Sequence, residues 1–298
     1  MKRWLNNLLL IIFSIVFIVS LWLLIDYYAE SRKQKDTYDD LASLVDQYRP
    51  VSPTSPTVSN NSTGESADDN HTGESPDATA PSDGNTGTQS PSSNYVEMRH
   101  PVTGETIQVL PEYARIFTLN SDLVGWIRID GTVMNYPVMQ TPDRSNYYLK
   151  RDFNKTGSAH GCIYASEDCD ITQPSDNITI YGHNMRDGSM FATLLNYKKE
   201  SFWVEHPVIH FDTLTKRHSY EVMAVFTTTA SVGFGFDYHN FIDAADEDAF
   251  YKFVSDCKLL SLYDTGVDAE YGDKFITLST CEYSQANGRM VIVARRIG

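Results

Sequence analysis

The sequence predicts a mainly β fold: a closed or nearly closed β-barrel with peripheral helices, preceded by one transmembrane helix and a disordered linker. Three observations carry this. Short β-branched and apolar runs recur from about residue 120 onward, separated by turn residues and few helical patterns. Leu8 to Ile25 is almost wholly apolar. Residues 50–93 are nearly free of large apolar side chains and cannot bury enough surface to fold.

Taken in order, the chain opens on basic Lys2 and Arg3, followed by the apolar run, broken only by Ser14 and Ser20. At ~1.5 Å per residue this length crosses a ~30 Å hydrocarbon core. Trp4, Trp22, Tyr27 and Tyr28 sit near its ends, as interfacial aromatics do. A cleaved signal peptide is the rival reading. The run exceeds the roughly 7–15 residues of a signal-peptide core, and no small-x-small cleavage site follows, so residues 1–28 read as an uncleaved anchor. Arg32, Lys33 and Lys35 follow the span as Lys2 and Arg3 precede it, so charge leaves the orientation open. Residues 29–49 read as a juxtamembrane segment, with a short helix over Asp36 to Tyr48 that places Leu41, Leu44, Val45 and Tyr48 on one face.

Residues 50–93 are rich in Ser, Thr, Pro, Gly, Asn and Asp and contain no Lys or Arg. Thr63-Gly64-Glu65-Ser66 recurs as Thr72-Gly73-Glu74-Ser75, a low-complexity echo within a flexible tether. The net charge of −15 argues against a nucleic-acid partner, which demands a basic patch, although part of the acid lies in the tether. The four cysteines, Cys162, Cys169, Cys257 and Cys281, have neither zinc-site nor disulfide-framework spacing.

Residues 94–298 carry the folded domain, expected to hold together without anchor and tether. Val124 to Ile129 alternates as a strand, and Gly131 to Val138 follows a turn. Gly161 to Tyr164 and Asn177 to Tyr181 are further strands, the latter running into Gly182-His183. Ser189 is the expected N-cap of a short helix reaching Tyr197. His206 and His210 stand four apart, a metal spacing on a helix, but Pro207 and the β-branched run make this a strand edge. Ser219 to Thr228 is a strand. Asp243 to Leu260 has a helical pattern, with Asp243 as cap and Phe250, Phe253, Val254 and Cys257 on one face. Phe275 to Cys281 and Arg289 to Ala294 are strands joined by a polar loop containing Asn287-Gly288, a turn signal.

That last hairpin brings Cys281 opposite Arg289. A thiol beside a fixed positive charge is more often a thiolate, which is the nucleophilic form. His183 supplies the base that a cysteine nucleophile requires, and it need only be near in space. Cys162 and Cys257 read as packing residues. Cys169 sits among Glu167, Asp168 and Asp170, whose charge raises a thiol's pKa.

Thr277-Leu278-Ser279-Thr280-Cys281, with Arg289 eight positions later and Tyr181-Gly182-His183 upstream, resembles the sortase family of cysteine transpeptidases. Glu282 after the cysteine and the helix before its strand resemble class B. The segment Asp143 to Phe153 is also similar, and the likeness runs from about Leu119 to the C-terminus. It implies a closed eight-stranded barrel with helices at the start of the domain and before the cysteine strand. It implies Cys281, His183 and Arg289 as catalytic residues, and Asn135, Tyr181, Ser279 and Glu282 as substrate-binding neighbours, with no metal or cofactor. The implied reaction is cleavage of a C-terminal sorting signal, usually after Thr in Pro-x-Thr, through a thioacyl enzyme. The implied acceptor is a peptidoglycan-precursor amine or, in a pilus-assembling sortase, a pilin lysine; the sequence leaves these open. The implied placement is an N-terminus in the cytoplasm and the catalytic domain outside the cell membrane. A papain-like peptidoglycan peptidase also pairs Cys with His, but in the opposite chain order.

Overall fold

In the computed structural model the described residues are 2–49, 95–231 and 233–298; the expected linker lies outside them. The chain begins with helix α1 (Lys2–Tyr48), then a hairpin of β1 (Val96–Arg99) and β2 (Thr106–Val109), and helix α2 (Pro111–Leu119). There follow β3 (Leu123–Arg128), β4 (Asn135–Met139), β5 (Ile163–Ala165) and β6 (Asn177–Tyr181). Helix α3 (Glu200–Glu205) leads to β7 (Val208–Thr213) and β8 (Ser219–Thr229), and α4 (Glu247–Leu260) precedes β9 (Phe275–Cys281) and β10 (Gly288–Ile297). Strands β3 to β10 close into an eight-stranded barrel in the order β10-β8-β7-β3-β4-β5-β6-β9. The expected barrel is therefore present, with its eight strands.

Two of its joints, β4 with β5 and β6 with β9, are parallel. The second sets up the site. Parallel strands end on the same rim, and Tyr181 of β6 lies in register with Ser279 of β9. Two residues further along each strand direction come His183 and Cys281. The antiparallel β9–β10 pair then sets Arg289 directly opposite Cys281.

β9 and β10 are buried on both faces, which explains the unbroken apolar run Met290 to Ala294 in β10. Ile276, Leu278, Met290 and Ile292 join the barrel's interior core, while Phe275, Val291 and Val293 pack on Phe250, Phe253, Val254 and Cys257 of α4. The expected apolar face of α4 is thus the buried one. Its cap is one turn later than expected: Asp246 accepts from the Ala249 amide at 2.8 Å, while Asp243 is drawn off to accept from the Asp176 amide at 2.9 Å. Ser189 is likewise no cap. It bonds Asp187, and the segment after it is a 3-10 helix, Phe191–Lys198.

The juxtamembrane segment also differs from expectation. It is no separate short helix but the second half of α1. Its buried face is Gln34, Tyr38, Leu41 and Val45, a helical spacing, whereas Tyr48 is exposed. Tyr38, Leu41 and Val45 belong to the same core as the barrel interior. Composition puts the domain boundary at residue 94; the packed core reaches back across it. The first half of α1 is different in kind: an 18-residue window with mean hydropathy 3.2 has none of its residues buried, and the helix is long and apolar enough to cross a membrane.

Candidate active site

The rim where β6 and β9 end is stitched by short hydrogen bonds. The Gly182 amide donates to Ser279 O at 3.2 Å, Thr280 Oγ1 to Gly182 O at 2.7 Å, and Asn184 Nδ2 to Cys281 O at 3.0 Å. Gly182 also leaves room for its neighbours on the other side: a Cβ there would meet Ile163 Cδ1 at 2.4 Å and the Phe191 ring at 2.7 Å. The histidine that follows is held from the far side. His183 Nε2 donates to Leu149 O at 2.7 Å. A carbonyl only accepts, so this nitrogen carries the hydrogen and Nδ1 is left to exchange a proton.

Arg289 Nη1 donates to Gly288 O at 3.0 Å and to Asn287 O at 3.3 Å, the carbonyls of its own turn. Among the described residues no carboxylate forms an ion pair with it. Its charge is therefore available to whatever enters the cleft.

Cys281, His183, Arg289, Tyr181 and Ser279 line one open cleft of about 290 Å³. Of the seven residues expected at the site, these five come together and two do not. Asn135 lies in a separate cavity beside α1, where it accepts from Trp126 Nε1 at 2.6 Å. Glu282 points away into an ion pair with Lys198 at 2.6 Å and accepts from Ser284 Oγ at 2.5 Å. Burial would raise its carboxyl pKa, but Lys198 and Ser284 together hold it below the ordinary value. It braces the loop after the cysteine.

Among the lining residues that sequence reasoning passed over as site residues are Asn146, Tyr164 and Tyr238. Asn146 is left-handed (φ 53°) and accepts from Tyr164 Oη at 2.9 Å. It lies in the Asp143–Phe153 segment already noted, and an asparagine tolerates that backbone. Tyr238 Oη and Ser279 Oγ are 2.6 Å apart. Burial raises the pKa of the Tyr164, Tyr181 and Tyr238 phenols, so all three stay neutral.

The four thiols separate cleanly. Cys162, Cys169 and Cys257 are buried; only Cys281 is partly open. Burial pushes the Cys162 thiol up to about 12 and that of Cys169 to about 11, and it raises Cys257 as well. At Cys169 the acidic neighbours add to burial but are the smaller cause.

The family model for the sortase domain matches residues 127–297. Sortase B of Staphylococcus aureus (strain NCTC 8325 / PS 47) is 32% identical over 192 residues, covering 63% of this chain and 76% of that protein. Sortase B of Listeria monocytogenes is 33% identical over 192 residues, covering 64% and 76%. The chain belongs to the sortase family, class B. The three-dimensional likeness agrees. A Staphylococcus aureus sortase B–substrate complex superposes with a TM-score of 0.58 at 31% identity, covering 63% of this chain and 86% of that one. Clostridium perfringens sortase B gives 0.57 at 29%, covering 62% and 98%. As a member of this class the protein is a cysteine transpeptidase.

Proposed function

We propose that this sortase is a membrane-anchored transpeptidase that cleaves a C-terminal sorting signal of secreted proteins and joins the product to a cell-wall peptidoglycan amine. The observation that carries the reading is the convergence of Cys281, His183 and Arg289 on one cleft. The Cys281 thiol passes its proton to His183 Nδ1, and the thiolate attacks the carbonyl carbon of the threonine in a Pro-x-Thr motif. A carbon–sulfur bond forms, and the carbonyl oxygen takes up negative charge. Arg289 faces that charge with a guanidinium that pairs with no carboxylate among the described residues. The tetrahedral species collapses, the carbon–nitrogen bond breaks, and His183 gives a proton from Nδ1 to the departing amine. A thioester remains. The acceptor amine then attacks it, His183 takes a proton back from that amine at Nδ1, the carbon–sulfur bond breaks, and the Cys281 thiolate leaves.

Asn146, Tyr164, Tyr181 and Tyr238 offer neutral hydroxyl and amide groups to the substrate backbone. The apolar half of α1, with its uncovered surface, supports a single span that holds the domain at the outer membrane face, beside secreted substrate and lipid-linked acceptor. The test is a panel of fluorogenic Pro-x-Thr peptides, with products read by mass spectrometry. Cleavage after threonine with a trapped thioacyl adduct on Cys281 supports the reading, and cleavage elsewhere overturns it. Peptidoglycan-bridge amines and pilin-lysine peptides, supplied in competition, identify the acceptor.

A further inference from the structure

The second half of α1 does more than fill a core. Its inward face runs from half-buried Tyr27, Glu30 and Ser31 to buried Val45, about 27 Å along the helix. Tyr38 Oη lies 3.1 Å from Gly161 O and 3.4 Å from Cys162 Sγ. Burial raises the Tyr38 phenol pKa, so it remains a donor.

From Tyr38 two short routes lead to His183. In the first, the Cys162 amide donates to Tyr148 O at 3.0 Å, in the 3-10 turn that also carries Leu149. Gly161 presses on that turn: its φ is +60°, and a Cβ would stand 2.5 Å from Leu149 O. Leu149 O is the acceptor that fixes His183 Nε2. In the second, Tyr38 stacks edge-on to Tyr136, at 5.3 Å between ring centres. The Met190 amide donates to Tyr136 Oη at 3.1 Å. Met190 has a positive φ of 56° and bridges back to Asn184, closing the loop that begins at His183. Ser31 adds a third grip, donating to Asp187 within the same loop.

We propose that the membrane-proximal half of α1 is a positioning element for His183, with Tyr38 and Ser31 as the residues that transmit it. The helix that continues from the membrane span thus touches both walls of the histidine's socket. The proposal rests on the reading of His183 as general acid and base.

The test uses the full chain in detergent micelles with isotope-labelled histidine. Tyr38→Phe keeps the buried ring and removes only the hydroxyl; Ser31→Ala removes the grip on Asp187. Asp40→Asn, on the exposed face of α1, is the control. Each variant is measured for kcat, KM and the His183 ring resonance, assigned with His183→Gln. We expect Tyr38→Phe to lower kcat about tenfold with KM within about twofold, since small misplacements of a catalytic group cost rate. The His183 signal should shift, and Ser31→Ala should act in the same direction more weakly. Unchanged kcat in both variants overturns the proposal, whether or not the signal moves. So does a loss of rate with an unmoved signal, which would mark a purely structural effect. His183→Ala separates the two readings. If it is dead while Tyr38→Phe is silent, only the positioning role falls; if it stays active, the general-acid reading falls, and this proposal with it.

Discussion

Cys281 and Arg289 sit on neighbouring strands, while His183 sits on a loop, and the two kinds of support differ. The cysteine and arginine are placed by backbone register: β9 and β10 are paired over seven residues, and Arg289 is opposite Cys281 as a consequence. The histidine starts from register too, two residues past β6, but its ring is fixed by a carbonyl from a distant 3-10 turn. That turn and the loop after His183 are braced in part from α1. A strand pair holds geometry through many main-chain bonds. A loop holds it through a few side chains, each of which can be removed singly.

The largest effect should come from the strand-held Cys281, the proposed nucleophile. Cys281→Ala is expected to abolish both peptide cleavage and the thioacyl adduct without lowering the melting temperature, since the residue is partly exposed. Cys162, Cys169 and Cys257 should be dispensable for the chemistry, because each is buried with a raised pKa. A thiol label that inactivates through any of these three would break the comparison at its root.

Arg289→Lys comes next. Lysine keeps the charge and loses the planar fork, so it cannot reproduce directed hydrogen bonds. Loss of one such donor costs about 3–4 kcal/mol, or roughly a hundred- to thousand-fold in kcat. Steady-state kinetics should show that loss with little change in KM. A variant within a few-fold of the parent would assign Arg289 to the turn carbonyls it already bonds.

The strand-borne part of the site was legible in the sequence for a physical reason. β-Branched runs declare strands, Asn287-Gly288 declares the turn between them, and the register of a hairpin then sets Cys281 against Arg289. The α4 face was legible from its periodicity, although local competition for side-chain bonds moved its cap from Asp243 to Asp246. What was not legible is what tertiary packing alone decides. Asn135 lies on β4 yet faces a different cavity. Asn146 and Tyr238 reach the cleft from irregular segments that carry no period. The buried face of α1 was misjudged because Tyr38, not Tyr48, turns inward, and a helical pattern of thirteen residues does not say which stripe a barrel will cover.

A chain beginning at Tyr95 probes the loop-held half. It lacks Tyr38, Leu41 and Val45, each worth about 1.5–3 kcal/mol as a buried side chain, before discount for residual burial in the unfolded chain. A net loss of about 5 kcal/mol would lower the melting temperature by about 10–20 °C. Where the truncated chain is folded, Cys281 should still take a thiol label, because β9 and β10 are intact, while turnover falls. A truncated chain that melts with the parent would show the α1 contacts to be energetically idle.

The smallest effect concerns Glu282, which the family resemblance implied as a substrate contact. In the structure its carboxylate is buried against Lys198 and Ser284, outside the cleft. We therefore expect Glu282→Gln to keep kcat and KM within a few-fold. Its cost should appear in stability: a charge-assisted bond contributes about 1.5–3 kcal/mol, reduced here because Lys198 is 37% exposed, so about 1 kcal/mol. The sign with pH follows from the direction of the shift. The folded-state pKa lies below the ordinary 4.5, so the contribution is fully present above that value and disappears as pH falls through the folded-state pKa. Melting curves of parent and variant should differ by a constant amount at pH 6 to 8 and converge in acid. A difference that grows toward acid would contradict the depressed carboxyl. A hundredfold loss of kcat at pH 7 in a fully folded variant would return Glu282 to the active site and make the loop after Cys281, not only the loop after His183, part of the catalytic apparatus.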